Sequence, residues 1–356
     1  MRKRPTIKDV ARQAGLSLST VSLVINNSGN VSEETRNKVL RVVKELGYHP
    51  SRTAKGLASK TSGNIGLILT GDHFFQAEPF YTKIFLGTEF EARQHNYYIL
   101  LTTVGKDFNP KDSVPRFLLE GNVDGVIIAG RVNEKLISYI ENLHIPVILI
   151  DYELRRKRVP AVLADNRRGA QLAVSHLLSC GHRSIAFIGG DLDHPSIAER
   201  FAAYRETLIE NGITPDDTLI VTEEMDTGIQ NGFNAARTIL NRGGMATALF
   251  AANDAMAIGC LQYLRQIGVR VPHDIGLVGF DDIEMSSHVE PRLTTVRVFK
   301  EEMGKIAVQR LVDMINSKTQ TVVTMHVPVE LVVRESTVGG SQEQSAAVIG
   351  AVDVLA

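Results

Sequence analysis

The chain has no tryptophan, only two cysteines and no long apolar run. Cys180 and Cys260 are far apart in sequence, so buried thiols are a better interpretation than a disulfide or a metal site, and both fit a reducing cytoplasm. No stretch approaches the roughly eighteen apolar residues of a membrane helix, so no membrane partner is expected. No apolar signal core follows the basic "MRKRPTIKDV", so we expect a cytoplasmic protein that is not exported.

Sequence signatures of enzymes are also missing. There is no G-x-G-x-x-G, no G-x-x-x-x-G-K-[ST] and no G-x-S-x-G, and "IGGDLD" does not have the spacing of a phosphate loop. The histidines are scattered, and the six-residue spacing of His176 and His182 does not suit one helical face of a metal site. The sequence therefore predicts neither a catalytic residue, a metal nor a cofactor, and we expect a protein that is not an enzyme.

Charge is distributed unevenly along the 356 residues. Residues 1–60 carry 12 Lys and Arg against 4 Asp and Glu, a balance of +8, whereas the other 296 residues carry 27 against 36, a balance of −9. The length allows two or three domains. We therefore expect a small basic module, whose natural partner is a polyanion, joined to an acidic body.

The basic module has the pattern of three short helices. Hydroxyl residues precede each helical segment as N-caps, and Gly15 and Gly47 end the first and the third. The caps and segments are Thr6 before "IKDVARQA", Ser17 before Leu18 to Asn26, and Ser32 before "EETRNKVLRVVKEL". Helical spacing predicts a small core of Ile7, Val10, Ala11, Ala14, Val21, Val24, Val39, Val42, Val43 and Leu46.

The second segment, "LSLSTVSLVIN", is unusually rich in hydroxyl groups for a helix. On a helical wheel Val21 and Val24 lie on one side, and Ser19, Ser22, Leu23 and Asn26 lie on the other. Two short helices with a Gly-containing turn and a polar outer face form a helix-turn-helix, whose second helix lies in the DNA major groove. The hydroxyls would then contact phosphates and base edges, and a solvated face is the alternative.

A linker-like stretch, "GYHPSRTAKGLASKTSG", follows the three helices. Pro50 can open a short helix over 51–58 before the Ser/Gly-containing end of the stretch. A helix of this length is marginal in water, so it needs a partner to become stable.

From about Asn64 onwards, apolar runs alternate with helical segments, which predicts parallel sheets with helices on both faces. The fold class is therefore α/β, with two similar doubly wound lobes behind an all-helical module. The first series of strands is "IGLILT", "YYILLTT", "DGVIIAG" and "PVILID", and the second is "AVLAD", "SIAFIGG", "TLIVTEE", "TALFAAN" and "IGLVGFD". "LTTV" and "MHVPVELVVR" are expected as late strands, and all of the first series as buried.

Polar residues follow several of these strands, where ligands of such sheets bind. They are Asp72, Arg131, Asp151, Asn253 and Asp281. Two facing lobes would bring them to one cleft, and their carboxylate, amide and guanidinium groups suit a ring that bears neighbouring hydroxyls. Helix capping is the alternative for Asn253, Asp254, Asp281 and Asp282.

Three stretches carry a family resemblance: "TIKDVARQAGLSLSTVSLVIN", "VSEETRNKVLRVVKELGYHPSRTAKGLA" and "SGNIGLIL". They resemble the lactose-repressor (LacI/GalR) family of bacterial transcription regulators, and the similarity extends to "VELVVRESTV". The resemblance implies a helix-turn-helix domain at 1–48, a hinge helix and linker at 49–62, and a periplasmic-binding-protein-like domain at 63–340. The tail, 341–356, has no sustained heptad and is expected to be disordered.

The resemblance also implies which residues contact DNA. Leu18, Ser19 and Leu23 occupy base-reading positions, where Leu18 and Leu23 depart from the more common polar residues and suit thymine methyls. Leu57 takes the place of a hinge leucine that enters the minor groove, with a leucine packed on the body as the alternative. The positions that mostly anchor phosphates are Thr6, Ser17, Thr20, Ser22, Asn26, Ser32, Thr35 and Arg36, and Arg52 of the hinge joins this set.

The resemblance also implies which residues contact the effector. They are Pro79, Phe80, Tyr81, Asp151, Ser196, Arg200, Asn253 and Asp281, and Asp72 and Arg131 join them from the strand ends. The apolar face of a sugar ring would be covered by one of Phe74, Phe75, Phe80, Tyr81, Tyr152 and Phe280. Arg131 favours an anionic effector such as a sugar phosphate, and a surface salt bridge is the alternative.

Together these features predict a repressor of a carbohydrate-related operon. It would bind near-palindromic double-stranded operator DNA as a homodimer or a dimer of dimers, and an effector between the lobes would act as inducer or corepressor. The alternatives are control by a phosphorylated protein partner, as in global carbon control, and a nucleobase or nucleoside effector. An exported sugar receptor with the same body is a further rival, which the basic module argues against.

Overall fold

The structure is a computed structural model that describes residues 5–25, 28–48, 61–70, 79–105, 107–243, 245–317 and 321–337. Several predictions lie outside the described residues: Asn26, Arg52, Leu57, Asp72, Phe74, Phe75, the hinge helix, the side chain of Pro79 and the tail. The described residues form two compact units. One contains the chain up to Asn64 with Asn122–Asp124, and the other contains the rest.

The first unit is a bundle of the helices α1 (Ile7–Ala14), α2 (Leu18–Ile25) and α3 (Glu33–Leu46). Its core contains every predicted residue, and Tyr48, Leu16, Ile25 and Val31 are added to it. Buried members are Val10, Ala11, Ala14, Val21, Val24, Val39, Val42 and Tyr48, and Ile7, Val43 and Leu46 pack against them partly exposed. The helical spacing of apolar residues therefore predicted both the helices and their packing.

The predicted caps hold each of these helices at its first turn. The Thr6 amide and hydroxyl both donate to the Asp9 carboxylate, at 2.9 and 2.7 Å. The Ser17 hydroxyl accepts from the Thr20 amide at 3.1 Å, and the Ser32 hydroxyl accepts from the Thr35 amide at 3.3 Å. Glycines in left-handed backbone end α1 and α3, as predicted.

The second unit consists of two α/β lobes, each built on a six-stranded sheet. The N-terminal lobe has the strand order β11-β5-β4-β3-β1-β2, and the C-terminal lobe has the order β12-β10-β9-β8-β6-β7. The strands are β1 (Asn64–Thr70), β2 (Tyr98–Val104), β3 (Gly125–Ala129), β4 (Val147–Ile150), β5 (Ala161–Ala164), β6 (Ile185–Gly190), β7 (Ile220–Glu224), β8 (Ala248–Ala251), β9 (Gly276–Asp281), β10 (Thr294–Val298), β11 (Thr324–Val327) and β12 (Val329–Val332).

Helices flank the two sheets in βα order, as the alternating pattern predicted. They are α4 (Pro79–Gln94), α5 (Arg116–Leu119), α6 (Glu134–Asn142), α7 (Asn166–Ser179), α8 (Pro195–Glu210), α9 (Ile229–Asn241), α10 (Asp254–Gln266) and α11 (Lys300–Ser317), with short 3-10 turns at Asp217–Leu219 and Glu284–Ser287. The pairings between neighbouring strands are parallel except that of β10 with β12, among the pairings with a described register.

Along the described helices and strands, the chain passes between the lobes three times. It leaves the N-terminal lobe after β5, returns after β10 to form α11 and β11, and crosses again before β12. "MHVPVELVVR" is therefore two strands in two sheets, divided at Pro328, and not one late strand. The eighteen-residue helix α11 was not among the predicted elements.

Two further predictions were wrong. Strand β2 is an edge strand and is not buried, because Tyr98 is 63% exposed and Leu101 is also exposed. Cys260 is buried as expected, but Cys180 is exposed at the end of α7. Among the helices of the described ranges, none has the length and apolar character to cross a membrane.

Candidate functional site

The outer face of α2 is the first candidate site. Leu18 and Leu23 are 46% and 40% exposed, and Ser19 beside them is exposed, whereas Val21 and Val24 on the opposite side are buried. Large apolar side chains on the surface of so small a bundle point to a contact surface. The structure thus brings the three predicted base-reading residues to one exposed helix face.

Hydroxyl pairs lie at the ends of this bundle. The Ser17 and Thr20 hydroxyls are 2.8 Å apart, and the Ser32 hydroxyl donates to the Thr35 hydroxyl at 2.8 Å. Each pair sits in the first turn of a helix, where backbone N–H groups and the helix dipole favour a negatively charged partner. Thr6 is exposed before α1, and Arg36 is partly exposed on α3.

The second candidate site lies between the lobes, at the carboxyl ends of the strands. Asp151 follows β4 in left-handed backbone (φ 60°) and is buried. Its carboxylate accepts from the Tyr81 hydroxyl at 3.0 Å and from the Ser196 hydroxyl at 3.3 Å. Tyr81 belongs to α4 of the N-terminal lobe and Ser196 to α8 of the C-terminal lobe, so Asp151 joins the two lobes.

Arg200, on α8, is a buried cation of the cleft. Its guanidinium donates to the Asn166 side chain at 2.8 Å and to the carbonyl of Ala252 at 2.6 Å, and it lies 3.7 Å from the centre of the Phe280 ring. A further nitrogen is 3.6 Å from the Asp281 carboxylate. Phe280 is therefore covered by Arg200 and does not line an open ring site.

Asp281 carries the most unusual acceptor in the cleft. It is 8% exposed, and its Oδ1 atom has no hydrogen-bond partner among the described residues. Burial raises the pKa of Asp281 to about 6, against the lowering effect of Arg200 and Lys300. A buried carboxylate oxygen without a donor is costly, so this position favours a ligand that donates a hydrogen bond.

Arg131 is not a free cation. It donates to the Asp191 carboxylate at 2.9 Å across the lobe boundary, so the salt-bridge alternative holds in this structure. Arg155 also reaches across this boundary: its guanidinium donates to the carbonyl of Leu192 at 3.1 Å and lies 3.4 Å from the Asp193 carboxylate. Both arginines are thus paired with carboxylates, Arg131 partly buried and Arg155 exposed.

His194 and Thr70 were not predicted as cleft residues. The Nδ1 atom of His194 and the hydroxyl of Thr70 are buried without a hydrogen-bond partner among the described residues. Burial, with Arg200 and Arg131 nearby, lowers the pKa of His194 to about 4, so its ring is neutral. Tyr152 packs against this ring edge to face, at 5.6 Å between centroids. Their positions in the sequence were the available signal, because His194 shortly follows β6 and Thr70 ends β1.

The capping alternatives have different outcomes. Asn253 does cap α10, accepting from the Met256 amide at 2.8 Å, and it donates to the carbonyl of Thr227. Asp254 is fully buried and accepts from the Ile283 amide and the Thr295 hydroxyl. Burial raises its pKa well above the ordinary value.

Asp282 caps no helix. It is paired with Arg297 at 2.7 Å and with Arg334 at 2.6 Å. Phe80, a further predicted effector residue, is buried, with its ring centre 5.6 Å from the ammonium of Lys300.

A helix-turn-helix bundle followed by a two-lobed body with a polar cleft is the architecture of a DNA-binding regulator. Family models agree: "Bacterial regulatory proteins, lacI family" matches residues 6–51, and "Periplasmic binding protein-like domain" matches residues 174–337. Full-length relatives match as well. The chain is 32% identical to catabolite control protein A of Priestia megaterium, covering 93% of this chain and 99% of that protein.

Further relatives strengthen the assignment. The chain is 35% identical to the HTH-type transcriptional regulator CelR of Thermobifida fusca, over 94% of this chain and 99% of that protein. The structure of a lac repressor dimer bound to operator and the anti-inducer ONPF matches with a TM-score of 0.80 at 31% identity, covering 95% and 100% of the two chains. A CelR–cellobiose complex matches with a TM-score of 0.71 at 34% identity, covering 94% and 100%. The chain belongs to the lacI family of bacterial regulatory proteins and is a transcriptional regulator.

Proposed function

We propose that this regulator represses a carbohydrate-related operon and that a neutral, hydroxyl-bearing sugar in the cleft controls its affinity for operator DNA. The observation that carries the effector class is the buried Asp281 carboxylate oxygen without a hydrogen-bond donor. A sugar hydroxyl supplies such a donor without bringing a charge into the buried cleft. The solved CelR complex, which contains cellobiose, supports this choice.

The paired arginines disfavour a sugar phosphate. Arg131 is bound to Asp191, and Arg155 lies beside Asp193, so an incoming phosphate would have to break existing ion pairs. His194 is neutral and offers no compensating charge. A phosphorylated effector would therefore gain little from these cations, and a neutral sugar would leave the pairs intact.

For DNA we propose the contacts inferred from the sequence. Leu18, Ser19 and Leu23 on the exposed face of α2 read bases, and the hinge leucine Leu57 enters the minor groove. The proposed phosphate contacts are Thr6, Ser17, Thr20, Ser22, Asn26, Ser32, Thr35, Arg36 and Arg52. The proposed effector set is Asp72, Pro79, Phe80, Tyr81, Arg131, Asp151, Ser196, Arg200, Asn253 and Asp281.

We further propose that two copies bind a near-palindromic operator. The edge strand β2 exposes Tyr98 and Leu101, and α4, which packs beside it, exposes Phe90. An exposed apolar edge strand is a ready surface for pairing with a second copy. The lac repressor structure that resembles this chain is a dimer. The domain division at residues 48, 62 and 340 stays part of this proposal, as does the absence of enzymatic activity.

Two binding measurements test the proposal. Selection from a randomised duplex library should yield a near-palindromic site, and a thermal-shift panel should then compare cellobiose, ribose, glucose 6-phosphate and hypoxanthine. We expect stabilisation by a neutral sugar and not by glucose 6-phosphate, and we expect Asp281→Asn to abolish it. Stabilisation by the phosphate or by hypoxanthine would contradict the effector class, and a library without enrichment would contradict the DNA contacts.

A further inference from the structure

Lys300 is a buried cation that no part of the proposed DNA or effector contacts uses. It is the first residue of α11 and is only 8% exposed. Both facts are unfavourable, because the start of a helix is electropositive and because a buried ammonium loses its hydration. Burial accordingly lowers the pKa of Lys300, while Asp281, Asp254 and Asp282 oppose that change. Such a residue needs strong local partners.

The partners of Lys300 lie on the other lobe. The chain leaves β10 of the C-terminal lobe at Val298 and enters α11 of the N-terminal lobe two residues later. From there the ammonium donates back to the carbonyls of Asp281, Asp282 and Val298, the last two at 3.4 and 3.3 Å. Lysine provides three N–H donors on one atom, which matches three converging carbonyls.

Two of these carbonyls, those of Asp281 and Asp282, belong to the turn that carries the Asp281 carboxylate, the proposed effector contact. Asp281 and Asp282 have φ angles of 107° and 51°, a backbone conformation that residues with a side chain rarely adopt. Such a conformation persists where its surroundings hold it. The Lys300 ammonium binds both peptide oxygens of this turn and so fixes the direction in which the Asp281 carboxylate points.

The helix that begins at Lys300, α11, packs closely against α4 of the same lobe. A Cβ atom at Gly87 of α4 would lie 2.0 Å from the carbonyl oxygen of Glu301, and one at Gly304 would lie 2.4 Å from that of Ile84. The backbones of α4 and α11 are therefore in direct contact. Helix α4 carries Tyr81, which donates to Asp151 on the N-terminal side of the cleft.

We infer that Lys300 is a positioning residue that fastens the Asp281–Asp282 turn of the C-terminal lobe to α11 of the N-terminal lobe. The two elements then move as one unit, and a ligand that binds Asp281 acts on α11 and α4 through the Lys300 ammonium. This inference rests on the proposed function only in naming Asp281 as an effector contact. The link itself belongs to the free protein.

Amide hydrogen exchange of the full-length protein tests the link. In the turn, the amide of Asp282 donates to the Thr295 hydroxyl and the amide of Ile283 donates to the Asp254 carboxylate, and in α11 the amide of Met303 donates to the carbonyl of Phe299. Lys300→Met should raise the exchange rates at all three by about tenfold, because the hydrogen bonds that tie the turn to α11 no longer oppose local opening. Lys300→Arg keeps a cation with several donors and should restore rates to within about threefold of the wild type.

Lys305→Met is the matched control, since Lys305 is on the same helix but pairs only with Glu302 among the contacts described. It should leave all three rates unchanged. Faster exchange on only one side of the lobe boundary, or equal rates in the Arg and Met variants, would overturn the inference. If Lys300→Met does not fold, Lys300→Gln is measured against the same criteria. Neither DNA nor a sugar is needed, so failure here is separate from failure of the proposed function.

Discussion

Asp281 and His194 both titrate in the weakly acidic range, but burial shifts their pKa values in opposite directions. Burial raises the pKa of Asp281 to about 6 and lowers that of His194 to about 4. Relative to the unfolded chain, the folded protein therefore binds more protons at Asp281 and fewer at His194. Folding stability falls with rising pH through the Asp281 range and rises with pH through the His194 range.

This opposition gives a prediction for single substitutions. Between about pH 4 and pH 6, Asp281→Asn should make the free energy of unfolding rise more steeply with pH, because a negative contribution to the slope is removed. His194→Gln should make it rise less steeply. Urea unfolding at a series of pH values measures both slopes, and a change of the same sign in the two variants would contradict the assigned environments.

Arg200 joins the cleft to the core of its lobe, and its loss should be costly. Arg200→Met removes one of the two cations beside the Asp281 carboxylate and the hydrogen bonds to Asn166 and Ala252. We expect a loss of about 3–5 kcal/mol in the free energy of unfolding. Arg205→Met is the control, because Arg205 is partly exposed on the same helix and pairs with the exposed Asp217. Its effect should stay within about 0.5 kcal/mol, and equal effects in denaturant titrations would contradict the role of Arg200.

Sequence position predicted part of this cleft. The rule that ligands bind beyond strand ends selected Asp151 and Asp281, and the structure places both at the cleft. It did not select Lys300, because a lysine at the start of a helix is normally solvated, and its carbonyl partners come from a lobe that the local pattern does not identify. Arg131 was selected as a possible anion ligand, but its partner Asp191 lies on the other lobe.

Individual helices and strands were more predictable than their arrangement. Capping residues and apolar spacing located α1, α2 and α3, since both signals act within one turn of a helix. Helix α11 was missed although its buried residues have helical spacing, because the sequence carries no local signal that the chain crosses to the other lobe after β10. For the same reason the two strands on either side of Pro328 could not be assigned to two different sheets.

The contact between α4 and α11 offers a test of that arrangement. Gly87→Ala places a methyl group against the backbone of Glu301, and backbone cannot move aside as a side chain can. We expect a loss of about 1–3 kcal/mol in the free energy of unfolding. Gly105→Ala is the matched substitution, since nothing lies within 4 Å of its added methyl group. Equal midpoints of urea unfolding for the two variants would show that the helices do not pack as described.

The whole molecule joins a basic DNA-reading bundle to a two-lobed sensor. The bundle holds its fold through its own core, and the cleft residues are hydrogen-bonded across the lobe boundary at Asp151. We expect a ligand that changes the separation of the lobes to act on this boundary and, as proposed above, to change the protein's affinity for DNA. Coupling of about 1–3 kcal/mol is enough to change affinity by about 5- to 150-fold.

The most direct test is the affinity for the selected duplex, measured by fluorescence anisotropy with and without the sugar that stabilises the protein. For the wild type we expect the dissociation constant to change at least about fivefold. For Asp281→Asn, which should still bind the duplex, we expect no change. A wild-type protein that binds the sugar in the thermal scan, yet binds the duplex with the same affinity at saturating sugar, would show that the cleft does not control DNA binding.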